Sequence, residues 1–457
     1  MVLHQQSTLD DATTDTVLIL RQWIDRGDLP AGTDGRPAAV LVRDGNGRLS
    51  VLLASDDSAA PPSGDEDSDA IDRLREELRA AAGRHALSGE SIALRPGDHV
   101  APDAIFKDPA MVRFDRSENF DIGLLDRLQT NQDWLRPAIR IEQKIPLVVG
   151  YSIKGGVGRS TALAVLALAL AKEGRRVTVI DLDLEAPGIG ALLLGDRLPA
   201  YGVIDWLTET LVDGESADRL IQDILFRAPA VNANALAGDV MVMPAYGSKT
   251  GNYVDKVGRA YMPSLGADGH FSRLADRLDH LVSVVAGGDD PPHLILIDSR
   301  AGLHDIAAAA VVRLGAQVLV FGRDETQSWE MYRRWLIHLR RSPQIGTADE
   351  NQDLRLRLKT VAAMVDDFGD PLKLWIKRSY DTWTAIYDEG EDAPYAFSET
   401  DEEAPHYPLP IAFTFAARRA TLTDETLTDQ WPQLLPAYER FVDGVKELLP
   451  AIAGGDD

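Results

Sequence analysis

From Ile145 onward, short apolar runs alternate with segments of helical periodicity: Leu147–Tyr151, Ser160–Lys172, Val177–Asp181, Val240–Pro244, Leu294–Asp298, Gln317–Phe321 and Leu358–Val365. Several of the short runs are apolar at consecutive rather than alternate positions. A strand covered on both faces requires that pattern, and it is the habit of parallel sheets. Strands alternating with helices predict a doubly wound, mostly parallel α/β domain over residues 145–449. A last helix from about Gln433 to Leu449 closes it, and the acidic, proline-containing stretch Glu389–Pro410 reads as a long loop or insertion.

The N-terminal third has a different rhythm. Ala38–Arg43 and Arg48–Ala54 are apolar runs joined by Asp44-Gly45-Asn46-Gly47, the turn chemistry of a hairpin. Residues 55–69 are polar and acidic. Ser68 is then placed to cap a helix through about Ala82, with Ile71, Leu74 and Leu78 as its apolar stripe and Gly83 as its stop. Residues 16–138 thus predict a small α+β accessory module without a chemical motif, and residues 1–15 read as a disordered tail.

Chemistry enters at the end of the first strand of the larger domain. Leu147-Val148-Val149-Gly150-Tyr151-Ser152-Ile153-Lys154-Gly155-Gly156-Val157-Gly158-Arg159-Ser160-Thr161 runs from a buried strand through a glycine-rich turn into a helix. Glycines let backbone N–H groups converge on an anion, and the helix N-terminus adds partial positive charge. Ser160 is placed to ligate Mg²⁺, and Thr161 to reach a phosphate oxygen. The competing reading is a turn that only packs a helix on a sheet, but strand, loop and helix all agree with a phosphate site.

Two further strands end in carboxylates. Val177-Thr178-Val179-Ile180-Asp181-Leu182-Asp183 ends in Asp-x-Asp, with both acids toward the carboxyl edge of the sheet, where α/β sites lie. His293-Leu294-Ile295-Leu296-Ile297-Asp298-Ser299-Arg300-Ala301-Gly302 ends in Asp298. Solvated strand-end acids are the bland alternative in both places.

Composition removes other functions. The 457 residues contain no cysteine, so disulfides, thiolate metal sites and a cysteine nucleophile are excluded. Nine histidines show no metal-ligand spacing. No apolar run approaches the ~20 residues that span a membrane, and the acidic N-terminus is not a secretory signal, which leads to an expected cytoplasmic location. A net charge of -25 argues against a protein that coats DNA by neutralising phosphates. The basic cluster Arg333–Arg334 with Arg340–Arg341 reads as a solvated helix face.

The glycine loop resembles that of the deviant Walker-A ATPases of ParA/MinD type, whose signature KGGVGK[ST][ST] carries an extra early lysine. Here the string is Lys154-Gly155-Gly156-Val157-Gly158-Arg159-Ser160-Thr161, a KGGVGR variant. The resemblance covers roughly Ile145 to Leu449. It implies ATP and Mg²⁺ as ligands, bound through Gly155, Gly156, Val157, Gly158, Arg159, Ser160 and Thr161. It implies that Lys154 crosses to the partner's γ-phosphate in an ATP-bound homodimer, that Asp183 orients the attacking water, and that Ser160, Asp181 and Asp298 serve the metal. Arg159 replaces the lysine that holds the β- and γ-phosphates; it keeps the charge but is bulkier and planar, which puts the hydrolysis rate in question. DSRAG stands in place of the family's DTPPG-like segment: Gly302 lets backbone approach phosphate, and Arg300 pairs with phosphate, with the other subunit, or with Asp298 or Asp305. Arg323–Thr326 borders the nucleotide. The asparagine with which relatives read adenine is missing, and Asp366 stands nearest that place. The expected function is a Mg²⁺-dependent ATPase switch signalling to a protein partner. The alternative is an ATP-holding sensory or structural module with little turnover. A partitioning ATPase is disfavoured by charge. A membrane tether is disfavoured by Glu439, Asp443 and Glu447 in the last helix.

Overall fold

The computed structural model describes residues 8–32, 36–54, 67–108, 110–117, 120–128, 130–139, 144–230, 237–265, 271–346, 353–390, 393, 395–423 and 426–449. The chain divides into two compact units, Met1–Arg136 and Pro137–Asp457.

In the first unit a helix spans Leu9–Asp25 and so begins inside the stretch expected to be disordered. Its start is a capping box: Asp11 N–H donates to Thr8 Oγ1 at 3.2 Å, and Thr8 N–H donates to the Asp11 carboxylate at 3.0 Å. Residues 1–7 lie outside the described residues, as does most of the acidic loop at 55–69. Strands β1 (Ala39–Arg43) and β2 (Leu49–Leu53) form the hairpin, its turn held by Asp44 Oδ1 accepting from Asn46 and Arg48 N–H. With β3 (Ala93–Leu94), β4 (Val112–Ser117) and β5 (Phe120–Asp126) they make a sheet in the order β3-β2-β1-β5-β4. The helix Asp67–Ala82 begins one residue before Ser68, which is therefore inside it. Ile71, Leu74 and Leu78 enter the core with Leu20 and Leu41, and Gly83, at φ +56°, follows the last turn.

The second unit is built on an eight-stranded sheet. Its strands are β6 (Leu147–Ser152), β7 (Arg176–Leu182), β8 (Phe226–Arg227), β9 (Asp239–Met243), then, beyond a small ribbon of β10 (Ser264–Leu265) and β11 (Phe271–Ser272), β12 (Leu294–Ser299), β13 (Gln317–Gly322), β14 (Leu358–Val365) and β15 (Leu409–Ala412). The order is β15-β14-β13-β6-β12-β7-β9-β8, parallel throughout except for β8. β6 is central and buried at all six positions. The order reverses on either side of β6, so the loop leaving it opens at a topological switch point. The helix Arg159–Lys172 follows that loop. It is apolar on every side because it lies between the sheet and the helices Ile189–Leu194 and Leu427–Leu448, and Ala162–Ala171 are all buried.

Two expectations are corrected. The acidic stretch ends in a strand, β15, which pairs with β14 and forms the sheet edge. Pro410 hides it in the sequence, and an edge is where a strand tolerates proline. The last helix spans Leu427–Leu448, starting before Gln433 and passing through Pro432 and Pro436. Buried Trp431 and Leu434 hold the turn that the prolines would open.

The acidic segment is tied down by Lys359, a buried residue of β14 whose Nζ donates to the carbonyls of Glu402 at 2.7 Å and Ala404 at 2.9 Å. Burial depresses its pKa to about 8 from 10.5. Below pH 8 the folded chain therefore holds a desolvated charge, and that penalty is relieved as pH rises from 8 towards 10.5. The stability of the wild type relative to Lys359→Met is expected to rise over that window by up to about 3 kcal/mol. Urea midpoints at pH 7.5 and 10 measure it; a difference that stays flat refutes the assignment.

Candidate functional site

The loop 153–158 leaves β6 and is held from outside by a residue that the sequence did not single out. Tyr332 accepts from Ile153 N–H at 3.0 Å and donates to the Phe321 carbonyl at 2.5 Å, tying the loop to β13. Gly150, within β6, is needed for close packing: a Cβ there would stand 2.7 Å from Leu163 Cδ1. Gly158 caps the following helix at φ +85°, a left-handed conformation natural to glycine. A Cβ at Gly158 would meet Met364 Cε at 3.1 Å. No side chain caps this helix, so its first amides face the loop.

The two cations of the loop have different surroundings. Lys154 is at the rim, its side chain 35% exposed, and donates to Glu325 Oε2 at 3.0 Å and Gln327 Oε1 at 3.1 Å. Lys154 in turn holds the Glu325 carboxyl below its ordinary range. Arg159 points inward and is buried. Its Nε donates to Asp298 Oδ1 at 2.5 Å, Nη2 to Asp183 Oδ2 at 2.9 Å, and Nη1 to Ser152 Oγ at 3.2 Å. Burial opposes that charge, but the two carboxylates outweigh it and raise the Arg159 pKa.

The register brings the acids together. On β12, Asp298 pairs with Asp181 of β7 on one side and Gly150 of β6 on the other. Asp181 is fully buried; its Oδ1 accepts from Asp183 N–H at 3.1 Å and its Oδ2, weakly, from Gly190 N–H at 3.5 Å. Burial, then the charge of Asp298, push its carboxyl well above the usual range. Burial likewise raises Asp298, against the pull of Arg159 and the Ser160 hydroxyl. Asp298 Oδ2 is buried with no hydrogen-bond partner of ordinary geometry. Asp183 lies just past β7, where Oδ1 accepts from Ala186 N–H at 3.3 Å.

Arg300 pairs with Glu185, a partner outside those offered by the sequence. Tyr261 donates to Glu185 Oε1 at 2.5 Å, and Tyr253 to the Leu184 carbonyl at 2.5 Å. The segment after Asp183 is thus clamped by three residues distant in sequence. Gly302, at φ +89°, donates its N–H to the Ser152 carbonyl at 2.8 Å.

Residues 141–230, which hold the loop, Asp181 and Asp183, match a family model described as ParA: NUBPL iron-transfer P-loop NTPase. A 46-residue stretch is 52% identical to the iron-sulfur cluster carrier protein of Pseudomonas fragi, covering 10% of this chain and 16% of that one. Over 176 residues the chain is 31% identical to the antiactivator FleN of Pseudomonas aeruginosa, covering 38% of this chain and 49% of FleN. The chain therefore spans half or less of the length of these curated relatives. The MinD cell division protein of Aquifex aeolicus aligns over 66% of this chain and 97% of its own, at 18% identity and a TM-score of 0.37.

The stretch of the second unit that holds the glycine loop is similar to the ParA family of P-loop NTPases.

The second unit carries a cavity of about 210 Å³ beside its loop, lined by Gly158, Thr161, Arg323, Met364, Phe413 and Thr414 among others. Its size and apolar wall suit a nucleobase. Asp366, nearest by sequence to the place of the missing asparagine, is exposed and not in that wall. The site also suits a hydrated Mg²⁺: a buried carboxylate oxygen without a partner, Asp298 Oδ2, and a hydroxyl, Ser160, face the loop end. Among the described residues no three histidine, aspartate or glutamate side chains could hold a metal by themselves. Among the described residues no helix is long and apolar enough to cross a membrane.

Proposed function

We propose that the protein is an ATPase switch that binds ATP with Mg²⁺, pairs with a second copy around it, and passes the change to a protein partner. The observation that carries the reading is the meeting of Asp183 and Asp298 at the base of a glycine loop whose early lysine, Lys154, stays at the exposed rim. The loop amides of Gly155–Gly158 and the first turn, with Ser160 and Thr161, would hold the phosphates, and the cavity beside Met364 and Phe413 the base. Mg²⁺ held by Ser160, with Asp181 and Asp298 acting through its waters, would neutralise phosphate charge. Asp183 lies beyond the strand end, where its carboxylate can orient an attacking water and accept its proton.

Lys154 is partly in solvent and bonded to side chains at the start of the helix Thr326–Leu339, so it can be released at little expense to the fold. That suits a residue acting across a dimer face. The last helix turns Trp431, Leu434, Tyr438 and Phe441 into the core, so its apolar face is already covered, which speaks against a membrane tether. A second reading, ATP held as a sensory or structural ligand with little turnover, draws on the engagement of Asp183 by Arg159.

The two readings part on Asp183→Ala. Under the ATPase reading, phosphate release falls roughly 100-fold while ATP affinity changes by less than about threefold, because the residue acts on water and not on the bound ground state. Single-turnover hydrolysis and equilibrium binding on the same preparation test this. Equal losses in both make Asp183 a binding residue, and a wild type without phosphate release leaves the stable-ligand reading standing.

A further inference from the structure

Arg159 makes more contacts with the protein than a phosphate holder needs. Its guanidinium is buried and bridges Asp298 and Asp183, with a third bond to Ser152. Those two carboxylates arrive from different strands, β12 and the end of β7, and the only oxygen of Asp298 that Arg159 leaves unpaired is the buried Oδ2. Two acids pressed together in a buried site need a cation, and a bidentate guanidinium fork satisfies both at once. Lys154, the other loop cation, is likewise neutralised by its own chain through Glu325.

We infer that Arg159 is the resting counter-cation of this site, yielding Asp298 to a divalent cation and thereby freeing Asp183. Without the ion, the guanidinium holds the acids together and the site is closed on itself. With a divalent cation and its waters at Asp298, the guanidinium leaves both acids, Asp183 is free to meet water, and the fork becomes available for a bidentate contact with phosphate. Cation and nucleotide then enter as one linked event: each removes the arrangement that opposes the other. A lysine at this position, with one compact ammonium, cannot bridge both acids in the same way. The arginine at the end of the KGGVGR string is in this view a lock whose key is the metal, and it deepens the ATPase reading on which the nucleotide half of the linkage rests.

The experiment is a melting series with magnesium chloride alone, no nucleotide, against sodium chloride of matched ionic strength. The wild type is expected to show almost no Mg²⁺-specific shift, because the guanidinium already satisfies the acids. Arg159→Gln is expected to melt roughly 5–10 °C lower, since one partner of a buried ion pair is lost, and to recover at least half of that in millimolar Mg²⁺. Arg159→Lys is expected to fall between the two, and serves if the glutamine variant does not fold. Adding Asp298→Asn to either variant should abolish the recovery, which separates this site from Mg²⁺ held loosely by an acidic surface. Variants that gain no more from Mg²⁺ than the wild type, or whose gain survives Asp298→Asn, overturn the exchange. ATP binding by the wild type is measured in parallel. A wild type that binds no ATP while Arg159→Gln still recovers with Mg²⁺ removes the ATPase reading and leaves the exchange; ATP binding with variants blind to Mg²⁺ does the reverse.

Discussion

Gly158→Val is expected to abolish the proposed nucleotide binding by the second unit. The backbone at Gly158 stands at φ +85°, where a β-branched residue is strained by about 1–3 kcal/mol. The added Cβ would also stand 3.1 Å from Met364 Cε, at the wall of the base cavity, and the two γ-methyls would crowd it further. Relief of either clash turns the peptide units whose amides face the loop. Since those amides are the main anion-binding groups left while Arg159 is engaged elsewhere, affinity should fall at least about 100-fold, near 3 kcal/mol. Titration with a fluorescent ATP analogue measures it. Circular dichroism should show the fold retained, because the strain is local to a loop end. A valine variant that is folded and binds ATP like the parent would sink the loop assignment.

Lys154→Ala should leave ATP affinity within about threefold and remove turnover by roughly 10³-fold, the scale at which a cation supplied to a transferring phosphoryl group acts. Its stability should barely change, because the pair it forms with Glu325 is partly exposed, and such pairs contribute about 0–1 kcal/mol. Sedimentation with ATP, with ADP and without nucleotide gives the independent readout: the wild type should pair with ATP alone, the variant under none of these conditions. A wild type that stays monomeric throughout, or a Lys154→Ala protein that pairs and hydrolyses normally, would refute the face-to-face dimer.

Much of the larger unit is legible from local pattern. Consecutive apolar residues at Leu147–Val149 and Leu294–Ile297 mark buried parallel strands, because a strand covered on both faces has no position left for a polar side chain. The glycine run marks a tight passage from a strand into a helix, because backbone geometry there is a property of the string itself. The helix start at Leu9 was also legible: Thr8 and Asp11 have capping-box spacing, and the polar composition around them masked it. Pro410, Pro432 and Pro436 misled in the opposite direction, since proline is judged locally while an edge strand or a packed helix is decided by neighbours far along the chain.

What sequence alone determined is therefore the inventory: a loop with two cations, and strand-end acids at 181, 183 and 298. Tertiary structure decided the pairing. Arg159 meets an acid 24 residues away and another 139 away, and Lys154 meets Glu325 across 171 residues. Arg300 finds Glu185 rather than Asp298 or Asp305. No local rule ranks such partners, because the strength of a charge pair depends on the distance and burial that the strand order creates, and both are set only when β6, β7, β12 and β13 lie side by side.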